Sequence, residues 1–211
     1  MTTNAPSDST VVVIDDDDDV RAAIKGLLDS VGLKVILFAS AGEFLESTVP
    51  DTTCCMVLDV RMPGISGLKL QEELARADVH IPIVFITGHG DIAMAVRAMK
   101  AGAVDFLTKP FNNQDLLDAV FAALERDRTR RIQWESISVL RDHFSALSVR
   151  EKEVLTHVAA GRLNKQIAAD LGISEVMVKV HRANGMRKMH TKSVAELVRM
   201  TELLRTGQAA T

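Results

Sequence analysis

VVVIDDDDDVR, residues 11–21, runs four apolar β-branched residues straight into a string of acids. Such a run suits a strand buried on both faces, and the carboxylates that follow then stand at its C-terminal tip. The pattern returns at residues 35–38, 56–58, 83–86 and 104–107, each a short apolar run. Between these runs lie helical periodicities at about 19–31, 41–48, 66–77, 91–101 and from 113 onward. Strand and helix alternate five times, which predicts an α/β domain built on a doubly wound, five-stranded parallel sheet. Chemistry in such a domain gathers at the carboxyl ends of the strands.

Those ends carry a consistent set of groups. Asp15 closes the first apolar run, Asp59 follows CCMVL, Thr87 ends PIVFIT, and Lys109 follows DFLT. If the first and third strands are neighbours, Asp15, Asp16 and Asp59 converge. Three close carboxylates repel one another unless a cation joins them, and a hard ion with oxygen ligands, Mg²⁺, answers that need. The main-chain carbonyl of Arg61 is placed to add a further oxygen. A carboxylate nucleophile, a metal site, a hydroxyl and an ammonium form a kit for phosphoryl transfer, in which an Asp accepts the group as an acyl phosphate. Lys109–Pro110 is a candidate for a cis bond. Asp17, Asp18 and Asp19 read as solvated first-turn residues favoured by the helix dipole. His89 reads as a loop residue, and Phe106 taken alone reads as core.

Composition narrows the class. The chain has 211 residues, 47% of them apolar and 25% charged, which excludes a disordered, collagen-like or disulfide-stapled protein. Its start, MTTNAPSDST, has neither the basic nor the apolar segment of a secretory signal, and no apolar run reaches the ~20 residues of a membrane span. A cytoplasmic location without membrane contact is expected. Cys54 and Cys55 are adjacent and point to opposite faces of a strand, so they read as small buried hydrophobes rather than a disulfide.

Charge divides the chain. Residues 1–125 carry 9 basic and 19 acidic residues, 126–146 carry 5 and 3, and 147–211 carry 11 and 6. An acidic first part and a basic last part predict two domains with different partners, the second suited to DNA. From Phe111 to Ala160 there is neither Pro nor Gly, so the fifth helix is expected to run on as a connector to about Asp142. Ser148 and Glu151 form a capping-box pattern, Gly161 ends that helix, 164–171 is a short amphipathic helix, and Gly172 makes a turn. Ser174 caps a helix of about 175–189, and 193–204 is the last. A short helix, a Gly turn and a basic second helix make a helix-turn-helix pattern. The expected parse is a disordered 1–9, an α/β domain 10–125, a helical linker 126–146, a DNA-binding domain 147–205 and a tail 206–211.

The strings VVVIDDDDDVR, VLDVRMPGISGL, FITGHGD and MKAGAVDFLTKPF resemble the receiver domain of bacterial two-component response regulators, a flavodoxin-like fold. The resemblance implies that Asp59 takes a phosphoryl group from a sensor histidine kinase. It further implies that Asp16 binds Mg²⁺ directly and Asp15 through water. Thr87 and Lys109 would contact the phosphoryl oxygens, and Phe106 would turn inward as Thr87 moves. The string LSVREKEVLTHVAAGRLNKQIAADLGISEVMVKVHRANGMRKM, residues 147–189, resembles the helix-turn-helix of the LuxR/FixJ class. Within it, 175–189 would be the recognition helix. At about 100° per residue Lys179, Arg182 and Met186 share a face, with His181 and Lys188 on its flanks. Lys165, Lys179, His181, Arg182 and Lys188 are the expected DNA contacts. Met177 stands where the family usually has Thr, and Gly185 interrupts the helix, either loosening it or leaving room for a close approach by another chain.

Together these resemblances imply a DNA-binding response regulator that is no enzyme beyond its own phosphoryl transfer and dephosphorylation. Phosphorylation would promote a homodimer through 91–101, 103–107 and 113–125, with RNA polymerase as a further partner. Two alternatives remain open. One is a haloacid-dehalogenase-type phosphohydrolase fused to a DNA-binding module, with Asp15 as nucleophile. The other is a DNA binder that works without phosphorylation.

Overall fold

The computed structural model describes residues 9–88 and 92–208. His89 therefore lies outside the described residues, as do 1–8 of the expected disordered start and 209–211 of the expected tail. The chain divides into two compact units, Met1–Arg131 and Ile132–Thr211.

The first unit contains β1 (Ser9–Ile14), α1 (Asp18–Ser30), β2 (Lys34–Phe38), α2 (Ala41–Leu45), β3 (Thr53–Asp59), α3 (Gly67–Arg76), β4 (Ile83–Thr87), α4 (Ile92–Lys100) and β5 (Asp105–Thr108). It also holds the first part of α5 (Asn113–Ser145). The strands form one sheet in the order β2-β1-β3-β4-β5, every pair parallel. This is the predicted doubly wound sheet. Ser9 already belongs to β1, one residue inside the stretch expected to be disordered.

Period-two alternation explains both faces of the sheet. Val12, Ile14, Cys54, Met56 and Leu58 enter one apolar layer, while Val11, Val13, Cys55 and Val57 enter the other. The two cysteines thus part to opposite faces, free and buried, and burial pushes both thiols up. Helix starts follow side-chain caps. Asp17 Oδ1 accepts from the amides of Asp19 and Val20, and Ser66 caps α3.

Helix α5 runs unbroken for 33 residues, three beyond the expected end. Leu116, Ala119, Val120, Ala123 and Leu124 place its first turns on the sheet, and the stripe ends on a buried carboxylate, Asp127. Asp127 accepts from the Cys54 amide at 3.0 Å, from Arg131 Nε at 2.8 Å and from Arg130 Nη2 at 2.6 Å. The charged stretch expected as linker is therefore partly core, and the first unit extends to Arg131 rather than 125.

The second unit comprises the end of α5 with α6 (Val149–Ala159), α7 (Asn164–Leu171), α8 (Glu175–Lys188) and α9 (Val194–Gln208). Leu140 and Phe144 of α5 pack against its core of Val154, Leu155, Ile167, Val178, Met189 and Leu197. Ser148 and Glu151 form the predicted capping box. Gly172 takes φ +65° between α7 and α8, a left-handed turn that favours glycine. Helix α9 continues to Gln208, into the expected tail. Among the described residues no helix is long and apolar enough to cross a membrane.

Candidate functional site

Strand register assembles the first candidate site. Ile14 pairs with Leu58 across β1 and β3, so Asp15 and Asp59 leave their strands at the same level. Asp59 pairs with Ile86 of β4, and Thr87 pairs with Thr108 of β5, which puts Lys109 one residue past the sheet edge. The Lys109 amide donates to the Thr87 carbonyl at 2.7 Å, and the Lys109–Pro110 bond is cis. Four strand tips therefore meet at one edge.

The side chains converge there. One carboxylate oxygen from each of Asp15, Asp16 and Asp59 lies within 4.8 Å of the other two. Asp15 and Asp59 are buried, and Asp16 is exposed. Lys109 Nζ is 2.5 Å from Asp15 Oδ2 and 3.5 Å from Asp59 Oδ2. The other oxygen of Asp15 accepts from the Asp17 amide at 3.0 Å. The Arg61 amide donates to Asp59 Oδ1 at 3.4 Å. Thr87 is fully buried, and the half-buried Phe106 has its ring centroid 6.4 Å from that of Phe85.

Burial pushes the Asp59 carboxyl above its ordinary value. The Lys109 ammonium opposes that shift, the Asp15 charge adds to it, and the Arg61 amide opposes it. Lys109 pairs with Asp15 and Asp59, and Asp16 adds a third carboxylate, so the edge keeps excess negative charge. The donors are all hard oxygens at mutual distances one ion can span, so they fit a divalent cation such as Mg²⁺. Beside Lys109, the α1 residues Val20, Ile24 and Leu27 line an apolar groove of about 460 Å³ with Pro110 and Phe111.

Two supporting residues escape a reading of sequence alone. Arg21 of α1 holds the Asp15 carbonyl, Nη1 to O 2.5 Å. Gly67 begins α3 against the Asp59 carbonyl oxygen, and a Cβ there would lie 2.2 Å from it. Serine before glycine at a helix start is the visible signal for Gly67. Arg21 has none, because a contact six residues along depends on how β1 turns into α1.

The second candidate site is the outer face of α8. Val178, Gly185 and Met189 are buried, so the opposite face carries Val176, Val180, Ala183 and Arg187, all exposed, with Lys179 at its edge. Lys165 and Lys179 are exposed as expected. His181 and Arg182 are half-buried, and Arg182 donates to Asn164 Oδ1 at 3.3 Å.

Lys188, an expected DNA contact, is half-buried and is engaged within its own unit. Its ammonium lies 2.8 Å from Glu151 Oε2 and 3.2 Å from the Ala146 carbonyl. That hydrogen bond, and then the Ser148 amide, hold the Glu151 carboxyl below its ordinary range. The space at Gly185 is filled from within the unit: a Cβ there would lie 2.9 Å from Leu155 Cδ1 of α6. Charge alone points to Arg182, whereas the buried positions fix the rotation of the helix and so the face it presents.

Comparison with known proteins finds a family for each part of the chain. The family described as response regulator receiver domain matches residues 11–121. The bacterial regulatory proteins of the luxR family match residues 145–201. Nodulation protein W of Bradyrhizobium diazoefficiens is 55% identical over 202 residues, covering 96% of this chain and 89% of that protein. Response regulator protein TodT of Pseudomonas putida is 50% identical over 186 residues, covering 88% and 82%. A low-resolution structure of response regulator StyR superposes with a TM-score of 0.83 at 51% identity, covering 92% of this chain and 98% of the other.

Proposed function

This chain belongs to the bacterial response regulators that join a receiver domain to a LuxR-family DNA-binding domain, and on that premise we propose that Asp59 is its phosphoacceptor. An Asp59 oxygen attacks the phosphorus of a kinase phosphohistidine. The P–N bond breaks, and its electrons stay with the imidazole, which leaves and takes up a proton. The reading rests on one observation above all: a single ammonium, Lys109, spans Asp15 and Asp59 at the sheet edge. Lys109 neutralises an incoming phosphoryl oxygen, and the Thr87 hydroxyl contacts another. Asp15, Asp16, Asp59 and the Arg61 carbonyl would hold Mg²⁺, which supplies further charge neutralisation when bound. The apolar groove beside Lys109 suits a docked kinase helix. The receiver's only catalysis, in this reading, is its own phosphoryl transfer and dephosphorylation.

Phosphorylation shifts Thr87 and Phe106 and biases a two-state equilibrium toward a homodimer. Ile92, Val96 and Met99, exposed at helical spacing along α4, support that face as the dimer contact. The exposed stretch of α5 between Arg131 and Leu140 serves as linker. The second unit then binds DNA in the cytoplasm through Lys165, Lys179 and the outer face of α8, with RNA polymerase as a further partner.

The test is to incubate the chain with acetyl phosphate and Mg²⁺, map the modified residue, and follow molecular mass and DNA affinity. Label on Asp59, lost in Asp59→Asn, with a rise in mass and affinity, is expected. Label on Asp15 would favour a phosphohydrolase of the haloacid-dehalogenase type. That outcome is disfavoured by burial and by the closer ammonium: Asp15 is 0% exposed against 5% for Asp59, and Lys109 Nζ lies 2.5 Å from Asp15 against 3.5 Å from Asp59. Label on Asp59 with unchanged DNA affinity would favour a phosphorylation-independent DNA binder.

A further inference from the structure

The recognition helix keeps large apolar side chains in solvent, where the folded unit gains nothing from them. Val176 is 67% exposed, Val180 44% and Met177 42%. Two of these are β-branched, which weakens a helix slightly compared with Lys or Gln. At about 100° per residue, Val176, Val180, Ala183 and Arg187 fall in one narrow stripe, with Arg187 at its C-terminal end and Met177 to one side. The stripe lies opposite the side buried in the core, so its exposure follows from how α8 is anchored.

Cations border it. Lys179 and Arg187 are exposed, and the carboxamide oxygen of Asn184 is engaged by Arg187 at 3.3 Å. Residues 147–211 carry 11 basic and 6 acidic residues, so the surroundings draw a polyanion. From Val176 to Ala183 the stripe presents no hydrogen-bonding side chain. In the major groove of B-DNA the apolar group on the base edges is the thymine 5-methyl.

Building on the DNA-binding reading above, we infer that Val176, Val180 and Ala183 read thymine methyl groups. The central positions of each half-site are then selected by desolvation and shape, while Lys179 and Arg187 hold the helix against the backbone. Met177, in place of a hydroxyl-bearing residue, extends the apolar surface rather than reaching a phosphate.

Deoxyuridine provides the test, because it pairs as thymidine does and lacks only the methyl. The full-length chain, treated with Mg²⁺ and acetyl phosphate, is used to enrich duplexes from a random-sequence pool. The tightest duplex is remade with deoxyuridine at one thymidine position at a time. At two or more positions binding should weaken about fourfold, the effect of exposing one methylene-sized group. Val180→Asn, a change on the solvent side that should leave the circular dichroism spectrum intact, should abolish the preference at one of those positions. The salt dependence of binding should not change, since phosphate contacts are untouched. Equal binding with uridine at every position overturns the inference while leaving DNA binding intact. Enrichment of no duplex removes the DNA-binding reading and this inference with it.

Discussion

Replacing Gly67 with alanine should damage the receiver out of proportion to the single carbon it adds. A Cβ at 67 would sit 2.2 Å from the Asp59 carbonyl oxygen, 3.1 Å from its carbon and 3.0 Å from Leu58 Cγ. An ordinary carbon–oxygen contact is about 3.3 Å or more, so one partner must move by roughly 1 Å. The obstacle is backbone, which cannot rotate away. Either α3 lifts, stretching the Gly67 N–H bond to the Val60 carbonyl from 3.0 Å, or the Asp59 peptide shifts. Overpacking costs about 1–3 kcal/mol and the weakened hydrogen bond about 1 kcal/mol. Up to about 1 kcal/mol returns through alanine's better helix propensity. The net loss is about 1–3 kcal/mol, from a total of roughly 5–15 kcal/mol for a domain.

Urea unfolding followed by far-UV circular dichroism should show the receiver midpoint fall by roughly 1 M, for a slope of about 1–3 kcal/mol per M. Labelling by acetyl phosphate should slow in native buffer, because Asp59 moves relative to Lys109. Gly26 supplies the opposite case. It lies in α1, and a methyl group added there would meet no atom within 4 Å, so Gly26→Ala should stabilise by about 0.5–1 kcal/mol. A Gly67→Ala protein with unchanged midpoint and labelling rate would refute the argument that close packing of α3 on Asp59 holds the site.

Three further outcomes follow from buried contacts. Asp127→Ala leaves the Cys54 amide unsatisfied, removes the anion that Arg130 pairs with and leaves Arg131 only the exposed Asp51, so the receiver should lose about 2–4 kcal/mol in urea titrations. A loss under about 0.5 kcal/mol, within the usual range for a surface substitution, would mean the carboxylate holds nothing. The lowered Glu151 carboxyl contributes stability that is present above the ordinary glutamate range and lost as pH falls through its folded value. Trp134 fluorescence melts should therefore find Glu151→Gln less stable than the parent at pH 7, with the two converging in acid; parallel curves would contradict this. Gly185→Ala should destabilise the second unit by up to about 2 kcal/mol through its contact with Leu155, despite a helix gain of about 1 kcal/mol. In a Leu155→Ala background the same change should instead stabilise, and a sign that does not reverse would exclude the clash.

The alternation of strands and helices, and the acids at two strand tips, are legible in the sequence. Periods of two and 3.6 residues are local properties that residues 11–14 or 164–171 declare by themselves. Capping follows the same logic: Ser148, Ser174 and Glu151 act within one turn of chain. Asp127 looks in sequence like a solvated linker charge, because burial against β3, more than 70 residues away, leaves no local trace. Lys188 looks free for the same reason, since Glu151 is brought to it by the packing of α6 on α8.

The sequence by itself determined which residues form each element and which share a face. Only the tertiary structure decided which face turns inward, and it did so by filling space. The methyl groups of Leu155 fit the gap at Gly185, and that contact, with Val178 and Met189 buried beside it, turns Val176 and Val180 outward. It likewise set Lys109 nearer Asp15 than Asp59, because strand order and register bring those tips together. Helical and strand periods are written along the chain, whereas packing is a relation between distant segments and acquires its value only when they meet.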